Sequence, residues 1–110
     1  MIFLRGGAMN ICILAGRLAA DPKIFPAKEG GNVLKMKLIT RLYWSVKDKE
    51  EKVAGVPVTV FNVSDALLPY LKKGKRIGVV GVVRSSRFER NDAVVYSTDV
   101  VANKGGIKLM

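Results

Sequence analysis

Histidine is absent from this 110-residue chain, and cysteine occurs once, at Cys12. These shortages remove the commonest general base and the ligands of most zinc sites. A single thiol cannot close an intrachain disulfide. Its place in the apolar run NICILAGRL suits a small core residue rather than a reactive group. Acids are scarce as well, 9 against 19 Lys and Arg. Five of those nine lie among lysines in Asp21–Glu29 and Asp48–Glu51, the composition of solvated loops rather than of acid/base pairs. No GxxxxGK[ST] loop is present to cradle a phosphate. Nothing singles out Ser85, Ser86 or Ser97 as a nucleophile. The chain therefore reads as a non-enzyme that needs no metal or cofactor. No apolar run reaches membrane-spanning length, and no long basic amphipathic helix is evident, so a membrane is not the expected partner.

What remains is a basic chain of one-domain length. A hydrophobic fraction of 49% supplies a modest core, and a net charge of +10 points to a polyanion. The densest signal is GKRIGVVGVVRSSRFERNDAVVY, residues 74–96. It reads as two strands joined at a polar tip, Asn91–Asp92. Seven Lys and Arg fall between Lys72 and Arg90 against one acid, Glu89, and Phe88 sits among the arginines. Cations that track phosphates, beside an aromatic face that stacks on any base, suit single-stranded nucleic acid.

Period-two alternation sets out the rest. Asn10–Leu18 is a strand buried on most of both faces. Ala19–Gly31, with Pro22, Pro26 and Gly30-Gly31, is a loop. Asn32–Trp44 is a long strand with Leu34, Met36 and Leu38 on one face and Lys35, Lys37 and Arg41 on the other. Ser45–Gly55 is a charged hairpin loop. Val56–Phe61 sets Val56, Val58 and Val60 against Thr59 and Phe61, and Pro57 marks an edge or bulge. Ser64–Leu71 is a short helix capped by Ser64 or Asp65, ended by Gly74 and distorted by Pro69. Arg76–Phe88 and Ala93–Ala102 are the last two strands. Gly16, Gly78 and Gly81 fall inside strands, where a small barrel bends. Five strands with one helix between the third and fourth is the order of the OB-fold, an all-β Greek-key barrel that binds oligonucleotides.

Several segments resemble the bacterial single-stranded-DNA-binding proteins: NICILAGRLAADP (10–22), MKLITRLYW (36–44), VTVFNVSDALLPYLKKG (58–74), VVGVVRSSRF (79–88) and YSTDVVANKGG (96–106). The resemblance runs from about Asn10 to the end of the chain. It implies sequence-tolerant binding of single-stranded DNA in replication, repair and recombination, and a cytoplasmic, nucleoid-associated location. It also implies assembly into a homo-oligomer, a tetramer rather than a dimer, through the first strand: Asn10, Ile11, Ile13, Ala15 and Arg17. Carried over by position, the base-stacking rings are Trp44, Phe61 and Phe88. The phosphate contacts expected beside them are Lys35, Lys37, Arg41, Lys72, Lys73, Arg84 and Arg87. Trp44 has two readings. Strict alternation puts it in the core with Leu38, and it turns outward only if the strand ends or bulges near Leu42.

Two departures stand out. A Trp-His pair common in the family is Gly55-Val56 here, and the chain stops at Lys108-Leu109-Met110 where the family carries a partner-recruiting acidic tail. The shorter, dimeric primosomal replication protein N is an alternative, as is an OB module devoted to protein–protein contact. At the other end, residues 9–110 form the binding domain. Met1–Ala8 reads either as a disordered extension or as leader translated from a start placed before Met9, since Arg-Gly-Gly can be encoded by a purine-rich ribosome-binding sequence.

Overall fold

The computed structural model describes residues 9–110, apart from the side chains of Asn103 and Lys104. The leader reading of Met1–Ala8 lies outside the described residues. The strands are β1 (Cys12–Leu18), β2 (Lys23–Pro26), β3 (Asn32–Ser45), β4 (Glu50–Phe61), β5 (Arg76–Arg90), β6 (Ala93–Asn103) and β7 (Ile107–Leu109). β1 pairs with β3, β3 with β4, β4 with β6, β6 with β5, and β5 returns to β1. The five strands thus close into a barrel, with β4 and β6 its one parallel pair. Closure removes most free edges. β2 lies outside the ring against β3, and β7 against the start of β5.

Alternation explains the core. Leu34, Leu38, Val60, Ile77 and Val79 are fully buried, with Leu18, Met36, Val58, Val100 and Ala102 beside them. Their intervening neighbours face outward. Of the three glycines expected inside strands, two are required by close approach. A Cβ on Gly16 would strike the carbonyl of Ile39, and one on Gly81 that of Val101, whereas Gly78 has room. Pro57 comes one residue before β4 begins to pair with β6, so its missing amide hydrogen falls where one side of the strand is still open.

Several expectations change. The segment 19–31 contains β2, hidden from periodicity because every residue of it is exposed. The charged loop 45–55 is mostly strand: β3 and β4 run out to a turn at 46–49, where Lys49 takes a positive φ. The helix over Ser64–Leu71 is reduced to a 3-10 turn at Leu68–Tyr70 with no side-chain cap, so neither Ser64 nor Asp65 serves. Pro69 explains this, because it cannot donate to the carbonyl four residues back. The turn nevertheless brings Leu67 and Leu68 onto the core and buries Leu71, which ends it; Gly74, at a φ of +86°, instead shapes the turn into β5, where its amide donates to the Leu18 carbonyl. The tip at Asn91–Asp92 is as expected. Both residues have positive φ, the backbone that lets a two-residue hairpin follow the strand twist.

Candidate nucleic-acid interface

The register of β3 against β4 decides where Trp44 points. Lys35 faces Thr59, Lys37 faces Pro57, and Arg41 faces Val53. The pairing then slips by one, so that Tyr43 faces Lys52 and Trp44 faces Glu51. The extra residue, Leu42, is a bulge, and a bulge reverses which residues face outward. Odd residues of β3 are outside before it and even ones after it. Trp44 therefore joins Lys35, Lys37 and Arg41 on the outer face, 54% exposed. The core reading of Trp44 is ruled out by this geometry.

Phe61 and Phe88 reach the same face by different routes. Phe61 pairs with Val33 at the far end of β4, two places beyond Thr59, and is half-buried. On β5 the outer residues are Val82, Arg84, Ser86, Phe88 and Arg90, opposite Val101, Asp99, Ser97, Val95 and Ala93 of β6. Val101 in turn pairs with Thr59 of β4, so the surface is continuous across β3, β4, β6 and β5. The Arg90 guanidinium lies 5.6 Å from the centroid of Phe88 and steadies one side of that ring.

The middle of this face is a directed chain of hydrogen bonds. Lys35 Nζ donates to Thr59 Oγ1 at 3.0 Å, and Thr59 Oγ1 donates to Asp99 Oδ2 at 2.6 Å. Arg84 closes on the same carboxylate with Nε to Oδ1 at 3.1 Å and Nη2 to Oδ2 at 2.8 Å. Thr59 is only 2% exposed, and its hydroxyl accepts from one neighbour while donating to the other. Burial alone would push the Asp99 carboxyl up. The hydrogen bonds from Arg84 and Thr59, with the charges of Arg84 and Lys35, outweigh it and hold the carboxyl below its ordinary range. Nearer the hairpin tip, Arg41 Nε lies 3.7 Å from Glu51, an exposed pair of small net worth. The Lys37 stem crosses Gly55 so closely that a Cβ there would meet it, so a methylene chain covers the position where the family pattern has a ring.

Not every expected residue joins this surface. Arg87 pairs with Tyr96 on the reverse face of the β5–β6 ribbon. Lys72 and Lys73 follow the 3-10 turn at the end of the barrel, where the Lys73 amide donates to Asp21. Two residues were missed. Lys23 pairs with Lys35, and Phe25 pairs with Val33, which puts both on the outer face, Phe25 two strands from Phe61. The signal was the strand pairing of β2, which its sequence alone does not display.

The first-strand residues sit elsewhere on the barrel. Ile11, Ile13, Ala15 and Arg17 point outward, Ile13 at 74% exposure, next to Val80 and Val82 of β5. Among the described residues, β1 is paired on one side only between Cys12 and Gly16, since β3 meets it just at Arg17 and Leu18. Asn10 differs from its neighbours. Its carboxamide donates to the Val83 carbonyl and accepts from the Val83 amide, which extends the ladder by a side chain.

Comparison with known proteins agrees with this architecture. Residues 9–108 match the single-strand binding protein family. The chain belongs to that family. It is 29% identical over 103 residues to a single-stranded DNA-binding protein of Rhizobium meliloti (strain 1021), covering 86% of this chain and 58% of that relative. Among solved structures, it superposes on a Plasmodium falciparum SSB in complex with ssDNA with a TM-score of 0.77. The two are 22% identical and the match covers 97% of each chain, so what they share is the fold. Within the family, this chain keeps the closed five-stranded barrel.

Proposed function

We propose that residues 9–110 bind single-stranded DNA without sequence preference, across the outer face of β3, β4, β6 and β5. The observation that carries this is the bulge at Leu42, which turns Trp44 onto the face that also holds Phe61, Phe88 and a row of cations. Separated rings suit unpaired bases, and the cations suit the backbone between them. Trp44, Phe61 and Phe88 stack, with Phe25 as a further platform. Lys23, Lys35, Lys37 and Arg41 meet phosphates. Lys72 and Lys73 extend the cationic path round the barrel end, and Arg87 contributes least. The role is protection of single strands in replication, repair and recombination, in the cytoplasm. Family membership supports a binding protein rather than an enzyme.

The working unit is a homo-oligomer, a tetramer in preference to a dimer. The support is the apolar face of Ile11, Ile13 and Ala15 beside the open edge of β1, a surface that a second copy covers well. The test is competition between oligothymidylate and a duplex of equal charge over a salt series. The single strand should win at every salt, and log affinity should fall with log salt by about 0.7 per phosphate neutralised. Equal affinity for the duplex would leave charge alone and reject the stacking face.

A further inference from the structure

The Arg84–Asp99 pair lies at the centre of the binding face, yet it presents no net charge. We propose that Asp99 is a built-in counter-charge that occupies the phosphate-binding fork of Arg84 and thereby limits how many phosphates this face neutralises. The inference rests on the reading of this face as a single-stranded-DNA site.

The geometry is specific. A guanidinium grips a carboxylate and a phosphate with the same two-pronged contact, so an internal carboxylate competes directly for that contact. Arg84 Nε and Nη2 both close on Asp99. The carboxylate is also held from the other side by Thr59, which itself accepts from Lys35. The Asp99 side chain is 12% exposed and that of Arg84 39%, so the acid sits beneath the cation it neutralises. Arg84 keeps donors free for a passing phosphate, but any phosphate that reaches them also meets the field of Asp99. Lys35 is drawn inward along the same chain, its ammonium spent partly on a buried hydroxyl. Affinity from the centre of the face then depends on the rings, with the free cations arranged around it.

Asp99→Asn keeps the shape and the hydrogen bond from Thr59 while removing the charge. Oligothymidylate is the probe, and salt dependence is the readout, because a purely structural role would not move it. The expected result is tighter binding, about five- to tenfold at low salt, with the log–log slope steeper by about 0.7, one more phosphate neutralised. Unchanged slope, or weaker binding by a protein that melts normally, would overturn the proposal. If Asp99→Asn does not fold, the double variant Arg84→Gln/Asp99→Asn decides instead, since neutral replacement of both members of a partly buried pair is often tolerated. A wild-type slope in the double variant supports a pair of zero net charge. A slope shallower by about 0.7 shows that Arg84 was an active phosphate ligand and rejects the counter-charge. Absence of wild-type binding to oligothymidylate at low salt is a separate outcome, which overturns the site itself.

Discussion

The barrel has two outward faces, on β1 and on β3, built from the same alternation and opposite in chemistry. On β1 the outward residues are Ile11, Ile13, Ala15 and Arg17, next to Val80 and Val82. On β3 they are Val33, Lys35, Lys37, Ile39 and Arg41, then Trp44 after the bulge. Exposure does not separate them, since Ile13, at 74%, is more open to solvent than Trp44, at 54%. Chemistry does. A run of aliphatic side chains beside an open strand edge has only another protein surface to satisfy it, whereas rings interleaved with ammonium groups suit bases and phosphates. β5 contributes to both: Val80 belongs to the first face, Arg84 and Phe88 to the second, and Val82 lies where the two meet.

The largest effect should come from breaking what both faces share. Leu38 has no exposed surface, and Leu38→Ala should cost about 2–5 kcal/mol of folding stability, read by denaturant titration. DNA affinity and oligomeric mass should fall together with the folded fraction and not separately. Ile13→Asp, by contrast, should separate the faces. It forfeits about 1.5–3 kcal/mol of burial per protomer and adds a buried charge, so light scattering should report a smaller particle while each protomer keeps its fold. A particle of unchanged mass would show that β1 is not the assembly surface.

Trp44→Ala should do the reverse, losing about 1–3 kcal/mol of binding with mass and melting temperature intact. Phe88→Ala should match it, and Phe61→Ala should add some instability because its ring is half-buried.

A smaller effect is set by pH. The Asp99 carboxyl is held below its ordinary value of 3.8 in the folded state. Its contribution to stability is therefore complete above that value and is lost as pH falls through the folded-state value. The wild type should lose melting temperature on acidification more steeply than Asp99→Asn. Parallel curves would remove Asp99 from the account of stability. The smallest change is expected for Arg87→Ala, whose side chain is on the reverse of the ribbon. Its salt slope should move less than that of Arg41→Ala.

The barrel strands were legible in the sequence wherever one face is buried and the other wet, as in Leu34–Leu38 and Val56–Val60. Segments with no fully buried residue carry a weaker signal. That is why β2, exposed throughout, and the outer half of β4, Glu50 to Gly55, where Lys52 and Ala54 are only half-buried, looked like loop. The site was partly legible for the same reason. Its residue types were visible, and Trp44 was reducible to a question about Leu42. The answer needed the partner strand, because a bulge is a mismatch between two strands and belongs to neither alone. The Lys35–Thr59–Asp99–Arg84 chain required the register of four strands at once, so a lone aspartate in YSTDVV gave no sign of it.

Trp44 is the only tryptophan in the chain, so its fluorescence has a single source. Titration with polythymidylate at low salt tests the outer face directly, because stacking on a base quenches the ring. The expected result is strong quenching that saturates with bound DNA, reverses on adding salt, and is absent with duplex of equal charge. DNA that binds while the Trp44 emission stays unchanged would contradict a binding face built around that ring.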